Sequence, residues 1–285
     1  MIIDGKTISN YILADLLNRV DELDRDFNIQ PHMAVVRVGE DPAISSYIAQ
    51  KEKMAKKIGA IVSVYNFPDS VNQETLKESL DFLQTKTDIH GIILQLPVPA
   101  HIDYEKLILD IHPDKDVDGF RPNSGFVIPI ANAVMKILEI PMIRETEKTG
   151  ESFNDWLLSK EIVVMGKGKT GGLPIIELLR KRGLEPIVID SQTPNPSIIT
   201  KSADIVITAV GKPGTLTADM IKKDSILIGV GMGLNSEGKF VGDYNEEEIK
   251  DKAGWYTPIP GGVGPVNVAC LMENLVTAAE NSIKN

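Results

Sequence analysis

Blocks of apolar and polar positions alternate along the first half of the chain. MAVVRV (33–38), IVSVYNF (61–67) and GIILQL (91–96) are short apolar runs rich in β-branched residues, and each predicts a strand buried in a sheet. Helical patterns separate them. One runs from about Ala43 to Ile58 and is ended by Gly59; another, NQETLKESLDFLQT, opens on Asn72, a good N-cap; a short one covers Tyr104 to Asp110. Strand–helix alternation with short connections predicts a parallel α/β sheet. PDKDVDGFRPNSG (113–125) breaks the period and reads as an ordered loop. A helix around Asn132–Leu138 then leads into polar IRETEKTGES, the linker candidate.

The alternation then starts again. EIVVMG (161–166), PIVID (186–190), ADIVITAVG (203–211) and DSILIGVG (224–231) predict strands, and LPIIELLRKRG a helix with Gly183 as its stop. The last segment, VNVACLMENLVTAAENS, is amphipathic and is expected to pack back onto the first domain. The expected fold is therefore two parallel-sheet α/β domains with a cleft between them, the second of Rossmann type. The expected domains are 1–140 plus 266–285, discontinuous, and 141–265.

Bulk properties narrow the function. At 285 residues the chain is near the size at which one core gives way to two. A net charge of -10 argues against a nucleic-acid binder and against attachment to anionic membranes. No apolar run is long enough to span a bilayer, and the start lacks a leader pattern. A single cysteine, Cys270, precludes an internal disulfide and fits a reducing cytoplasm. The four histidines show no metal-binding spacing, so no metal is expected.

Chemistry concentrates in a few places. In GKGKTGG, Gly166, Gly168 and Gly171 follow a strand and precede a helix, the setting of a dinucleotide-binding loop; Asp190 ends the next strand, where a carboxylate can bond a ribose hydroxyl. A P-loop would need a glycine where Val163 stands. Tyr47 and Lys51 share one helix face, although spacing alone favours a solvated face with Lys53, Lys56 and Lys57. Gln95 sits at the carboxyl end of an apolar strand, where parallel sheets bind ligands, and is equally readable as a buried amide bonded to a loop. Asp118 reads as a turn cap. PIPGGVGP (258–265), with Pro260, Gly261 and Gly262, reads either as a rigid connection or as a backbone wall beside a flat ring.

Together IIDGK, VGEDPAISSYIAQK, GIILQLPVP, KDVDGF, AVGKP and PIPGGVGP, in this order over nearly the whole chain, resemble the bifunctional methylenetetrahydrofolate dehydrogenase/cyclohydrolase family. The resemblance implies NAD(P)-dependent oxidation of methylene-tetrahydrofolate to the methenyl form and hydrolysis of that to formyl-tetrahydrofolate. It makes Lys51 the catalytic lysine, Tyr47 the tyrosine beside the substrate, Gln95 the glutamine bonded near Lys51, and Asp118 the aspartate that holds the pterin. It adds Pro260, Gly261 and Gly262 to the substrate side. The cofactor side would comprise Gly166, Lys167, Gly168, Lys169, Thr170, Gly171, Asp190, Ser191, Val210, Gly211 and Pro213. It also implies a homodimer.

Departures cluster on the cofactor side. Pro129-Ile130-Ala131-Asn132 stands for Pro-Cys-Thr-Pro, Lys167 for an arginine, Asp190-Ser191 for His-Ser, Gly229 for an aspartate and Asn267 for a threonine. Lys167 suits a ribose 2′-phosphate and so NADP, the family default; Asp190 repels that phosphate and suits NAD. A hydrolase with a degenerate cofactor site and a non-catalytic folate-binding paralogue are the competing readings. A dehydrogenase of shikimate-dehydrogenase type would share the architecture but not KDVDG or PGGVGP.

Overall fold

The computed structural model describes residues 1–147 and 150–284. The chain runs α1 (Gly5–Phe27), β1 (His32–Val38), α2 (Pro42–Lys57), β2 (Ile61–Phe67), α3 (Gln73–Gln84), β3 (Gly91–Leu94), α4 (Tyr104–Asp110) and α5 (Pro129–Thr146). It continues with α6 (Phe153–Leu158), β4 (Ile162–Met165), α7 (Gly172–Lys181), β5 (Ile187–Ile189), α8 (Pro196–Thr200), β6 (Ile205–Thr208) and β7 (Ile226–Gly229). β8 (Met232–Leu234), β9 (Phe240–Gly242), α9 (Glu246–Ile249), β10 (Trp255–Tyr256) and α10 (Val263–Ser282) complete it. Two compact units result, one of residues 10–129 and 268–285, the other of 1–9 and 130–267.

In the first unit β1 is the middle of a parallel sheet ordered β2-β1-β3. Its side chains alternate between two cores. Met33 and Val35 pack with Leu16 and Val20 of α1, Ile44 and Ile48 of α2, and Met272 and Leu275 of α10. Ala34 and Val36 pack on the other face with Leu76 and Leu80 of α3 and Leu107 of α4. Covering both faces is what makes β1 read as continuously apolar. Each of the larger of these side chains contributes about 2 kcal/mol through burial. Asn72 caps α3 as expected, its side chain accepting from Thr75 N at 2.8 Å.

The second unit has a five-stranded parallel sheet ordered β10-β7-β6-β4-β5 and a separate antiparallel hairpin, β8–β9. Val163, Met165, Val206 and Leu227 anchor its core. From β4 the chain steps out to β5, then returns to the other side of β4 for β6. The strand order therefore reverses between β4 and β6, and doubly wound sheets bind ligands at the carboxyl ends beside such a reversal.

Three differences from expectation stand out. No element was assigned to 5–27, yet α1 is helical throughout, with Leu13, Leu16, Val20 and Leu23 buried at helical spacing. The helix expected near 132–138 runs on to Thr146 through Pro141, so the first residues of the expected linker are helical; burial of Ala133, Val134, Ile137 and Leu138 outweighs the one hydrogen bond a proline removes. Residues 148 and 149 of that linker lie outside the described residues. The first nine residues go with the second unit, because Ile2 bridges Tyr256 and Ile3 N donates to Tyr256 O at 2.8 Å.

Candidate functional site

α2 begins at Pro42, and Ser45 N donates to Asp41 O at 3.0 Å. Tyr47 and Lys51 follow one turn apart. Lys53, Lys56 and Lys57 are exposed, whereas Lys51 is only 9% exposed and so departs from the solvated face that spacing favours. Its Nζ donates to Gln95 Oε1 at 2.8 Å. Gln95 lies just past β3, its N donating to Val36 O and its Nε2 to Leu96 O, both at 2.8 Å. Those two bonds fix the amide so that its oxygen faces the amine. Burial lowers the Lys51 pKa below the ordinary lysine value, and the charge of Asp118 partly offsets this. Burial in turn raises the Asp118 carboxyl, with Lys51 opposing. Tyr47, one turn before Lys51 on the same helix, is 46% exposed.

Asp118 is half-buried on an ordered segment. Gly119 N donates to Asp116 O at 3.0 Å, Arg121 N to Asp116 Oδ2 at 2.9 Å, and Ser124 Oγ to Asp116 O at 3.1 Å. Asn274 of α10 donates through Nδ2 to Val117 O at 2.8 Å and to Val127 O at 3.0 Å, tying both ends of the segment to one amide. Asp116 is buried, and its pKa is pushed up to about 6 by that burial, with Asp118 adding to it. The Tyr104 phenol is also raised, by burial first and then by Asp118 and Asp116; its ring meets Phe120 edge-on at 6.5 Å. Sequence reading missed Asn274, Asp116 and Tyr104. The one available signal was an amide set in the apolar run VACLMENLV.

On the second unit the glycine loop joins β4 to α7. Gly166 has φ +93°, and a Cβ there would stand 2.5 Å from Ala209 O. A Cβ on Gly172 would stand 1.9 Å from Gly166 O, so loop and helix close on each other only as glycines. Among the described residues no atom lies within 4 Å of such a Cβ on Gly168, leaving backbone that a ligand can approach. Lys167, Lys169 and Thr170 are exposed along the loop. Lys167 Nζ lies 2.7 Å from Asp190 Oδ2 at the end of β5, and that contact first, with bonds from Gln192 N and Thr193, lowers the Asp190 pKa to about 2. Ser191, next to it, is exposed. After β6, Val210, Gly211 and Pro213 form the facing loop. Asp243, which sequence reading also missed, holds that loop by accepting Val210 N and Lys212 N, each at 2.9 Å. The loop pair sits at the strand-order reversal, and with the open Gly168 backbone and the Asp190 carboxylate it fits a dinucleotide.

Tyr47, Lys51, Gln95 and Asp118 thus belong to one unit, and the glycine loop, Asp190, Ser191, Val210, Gly211 and Pro213 to the other. Pro260, Gly261 and Gly262 also lie on the second unit, in a turn where Gly262 N donates to Pro258 O at 2.8 Å.

Comparison with known proteins finds matches over both parts of the chain. Residues 3–118 match the model of the tetrahydrofolate dehydrogenase/cyclohydrolase catalytic domain, and residues 148–283 that of the NAD(P)-binding domain. The bifunctional protein FolD of Nautilia profundicola is 36% identical over 284 residues, covering 99% of this chain and 98% of that one. The structure of the bifunctional FolD methylenetetrahydrofolate dehydrogenase/cyclohydrolase of Campylobacter jejuni superposes with a TM-score of 0.90 at 33% identity, covering 99% of each chain. A Trypanosoma brucei methylenetetrahydrofolate dehydrogenase-cyclohydrolase, solved with NADP and an inhibitor, gives 0.88 at 29% identity over 100% of this chain and 99% of that one. By sequence and by fold, this chain belongs to the tetrahydrofolate dehydrogenase/cyclohydrolase family.

Proposed function

We infer that the protein interconverts one-carbon units on tetrahydrofolate, oxidising the methylene form to methenyl with NADP and hydrolysing methenyl to formyl-tetrahydrofolate. The observation that carries the hydrolytic half is the buried Lys51 amine, held on Gln95 and lowered in pKa, in the same unit as Asp118.

In hydrolysis, water adds its oxygen to the methenyl carbon and must lose a proton. In its neutral form, which burial favours, the Lys51 amine can take it, since donating one N–H to Gln95 leaves its lone pair available. The tetrahedral adduct then breaks one carbon–nitrogen bond of the ring, and the ammonium returns a proton to the departing nitrogen. One proton is released overall. Gln95 holds the amine without adding a charge that would keep it protonated. Asp118 as a carboxylate can accept two N–H bonds from the amino-pyrimidinone edge of the pterin. Tyr47 offers a flat face to a ring, and the family resemblance gives Pro260, Gly261 and Gly262 as further substrate-side residues.

NADP, when bound, supplies the hydride acceptor for the oxidation. This chain's part is to hold it: the backbone of Gly166, Gly168 and Gly171 at the pyrophosphate, with Lys167, Lys169 and Thr170 along the loop. Asp190 and Ser191 would serve the adenosine ribose, and Val210, Gly211 and Pro213 would line the facing loop. Folate chemistry is accordingly assigned to the unit of 10–129 and 268–285, and the dinucleotide to that of 1–9 and 130–267. The same reading makes the working assembly a cytoplasmic homodimer joined through the dinucleotide unit, which sedimentation of the purified protein tests.

An absorbance assay with methylene-tetrahydrofolate, run separately with NADP and NAD, tests the oxidation. Hydrolysis is tested with methenyl-tetrahydrofolate. Lys51→Met should nearly abolish hydrolysis while folate binding stays measurable; hydrolysis undiminished in that variant would overturn the role given to Lys51.

A further inference from the structure

The ion pair between Lys167 and Asp190 places opposite charges where NAD and NADP differ. In a Rossmann-type sheet the end of the strand after the glycine loop faces the adenosine ribose. A carboxylate there accepts from the 2′-hydroxyl of NAD, and a cation nearby accommodates the 2′-phosphate of NADP. This chain has one of each, 2.7 Å apart.

The two partners are not held equally. Asp190 Oδ1 accepts from Gln192 N at 2.9 Å and from Thr193 Oγ1 at 3.1 Å, and Asp190 N donates to Thr193 Oγ1 at 3.0 Å. The carboxylate is thus fixed at the end of β5 whether or not Lys167 is present, and it stays ionised throughout the working pH range. The Lys167 side chain is 62% exposed, against 26% for Asp190, and can leave without disturbing packing.

We propose that the Lys167–Asp190 pair makes this site accept both NAD and NADP, with Asp190 the residue that holds back preference for the 2′-phosphate. The proposal rests on the dinucleotide reading of the second unit. With NAD the pair stays closed, and the remaining lone pair of Asp190 Oδ2 accepts the ribose hydroxyl. With NADP, Lys167 must turn from Asp190 to the phosphate, which then lies near a fixed like charge. The gain of one contact is offset by the loss of another, so discrimination between the two is small.

The test measures binding as well as turnover. Calorimetric titration of 5′-AMP and of adenosine 2′,5′-bisphosphate reads the contribution of the 2′-phosphate without the nicotinamide. In the wild type the two affinities should lie within about tenfold of each other, and kcat/KM for NAD and NADP likewise. Asp190→Asn should raise the preference for the bisphosphate and for NADP by about tenfold or more, Lys167→Ala should lower it, and added salt should reduce the gain seen in Asp190→Asn. Asp190→Ser makes the same comparison if Asp190→Asn folds poorly, as judged by thermal unfolding. Strong wild-type preference for one cofactor, with neither substitution moving the ratio, would overturn the proposal. Failure of the wild type to bind either dinucleotide would instead remove the dehydrogenase reading on which it stands.

Discussion

Asn274 Nδ2 donates to Val117 O at 2.8 Å, one residue before Asp118, and so couples the last helix to the carboxylate assigned to the pterin. The same amide also takes Val127 O. Asn274→Asp keeps the shape but replaces both donors by an oxygen facing two carbonyls. Leaving buried carbonyls unpaired costs about 1–3 kcal/mol each. We expect a clear loss of stability in denaturant and, where the protein still folds, a rise in KM for the folate larger than the fall in kcat. An equal fall in kcat at unchanged KM would show that the amide does not position Asp118 for binding.

The glycine loop separates two effects that one substitution would mix. A Cβ on Gly172 meets the backbone oxygen of Gly166 at 1.9 Å, while one on Gly168 meets nothing within 4 Å. Gly172→Ala should therefore destabilise the second unit by about 2 kcal/mol, the usual penalty of overpacking. Gly168→Ala should leave the unfolding midpoint near wild type yet weaken NADP binding, because on the proposed reading the methyl group would stand in the path of the pyrophosphate. Thermal unfolding with and without NADP checks both. Unchanged stabilisation by NADP in Gly168→Ala would rule out that approach.

The alternation of strands and helices was legible because each element carries its own signal. β2 falls on the residues its β-branched run indicates, and Asn72 caps α3 where the sequence places it. The hairpin β8–β9 escaped because its strands, MGL and FVG, are short and lack the run of β-branched residues that marks the equally short β5. Candidate site residues can be named from the sequence, but their states cannot. Lys51 looks like its solvated neighbours along the helix; what buries it comes from elsewhere, notably Gln95, 44 positions away. Asp190 and Lys167 were each visible, with opposite implications, and only their 2.7 Å contact shows that they act as a pair.

The protonation of Lys51 can be read from the pH profile of hydrolysis. Burial lowers its pKa and Asp118 opposes that shift. If the neutral amine takes the proton from water, the rate rises with pH through the Lys51 pKa. Asp118→Asn removes the opposing charge and should move this limb to lower pH, whatever it does to the plateau. Gln95→Glu puts a carboxylate where the amide oxygen now stands, 2.8 Å from the amine, and should move the limb to higher pH. Initial rates with methenyl-tetrahydrofolate across pH, corrected for its spontaneous hydrolysis, decide this. Limbs that coincide in all three proteins would exclude Lys51 as the group being titrated.

His90 makes acid sensitivity a property of the first unit. It is 7% exposed, its Nδ1 accepts from His32 N at 3.2 Å, and burial first, with Lys115 and His32, lowers its pKa from 6.5 to about 4. The folded protein thus favours the neutral ring, and the unfolded chain binds the extra proton between these two values. The stability this provides is present in full above pH 6.5 and is lost as pH falls toward 4. His90→Gln retains an acceptor for His32 N but does not titrate. Acidification from neutral pH to the lower end of that window should therefore destabilise the wild type by about 2 kcal/mol more than the variant. Urea unfolding at a series of pH values measures the difference, and the other titrating groups, Asp116 with its opposite sign included, are common to both proteins. Stability curves that run parallel through this window would mean that the imidazole is no more sheltered in the folded protein than in the unfolded chain.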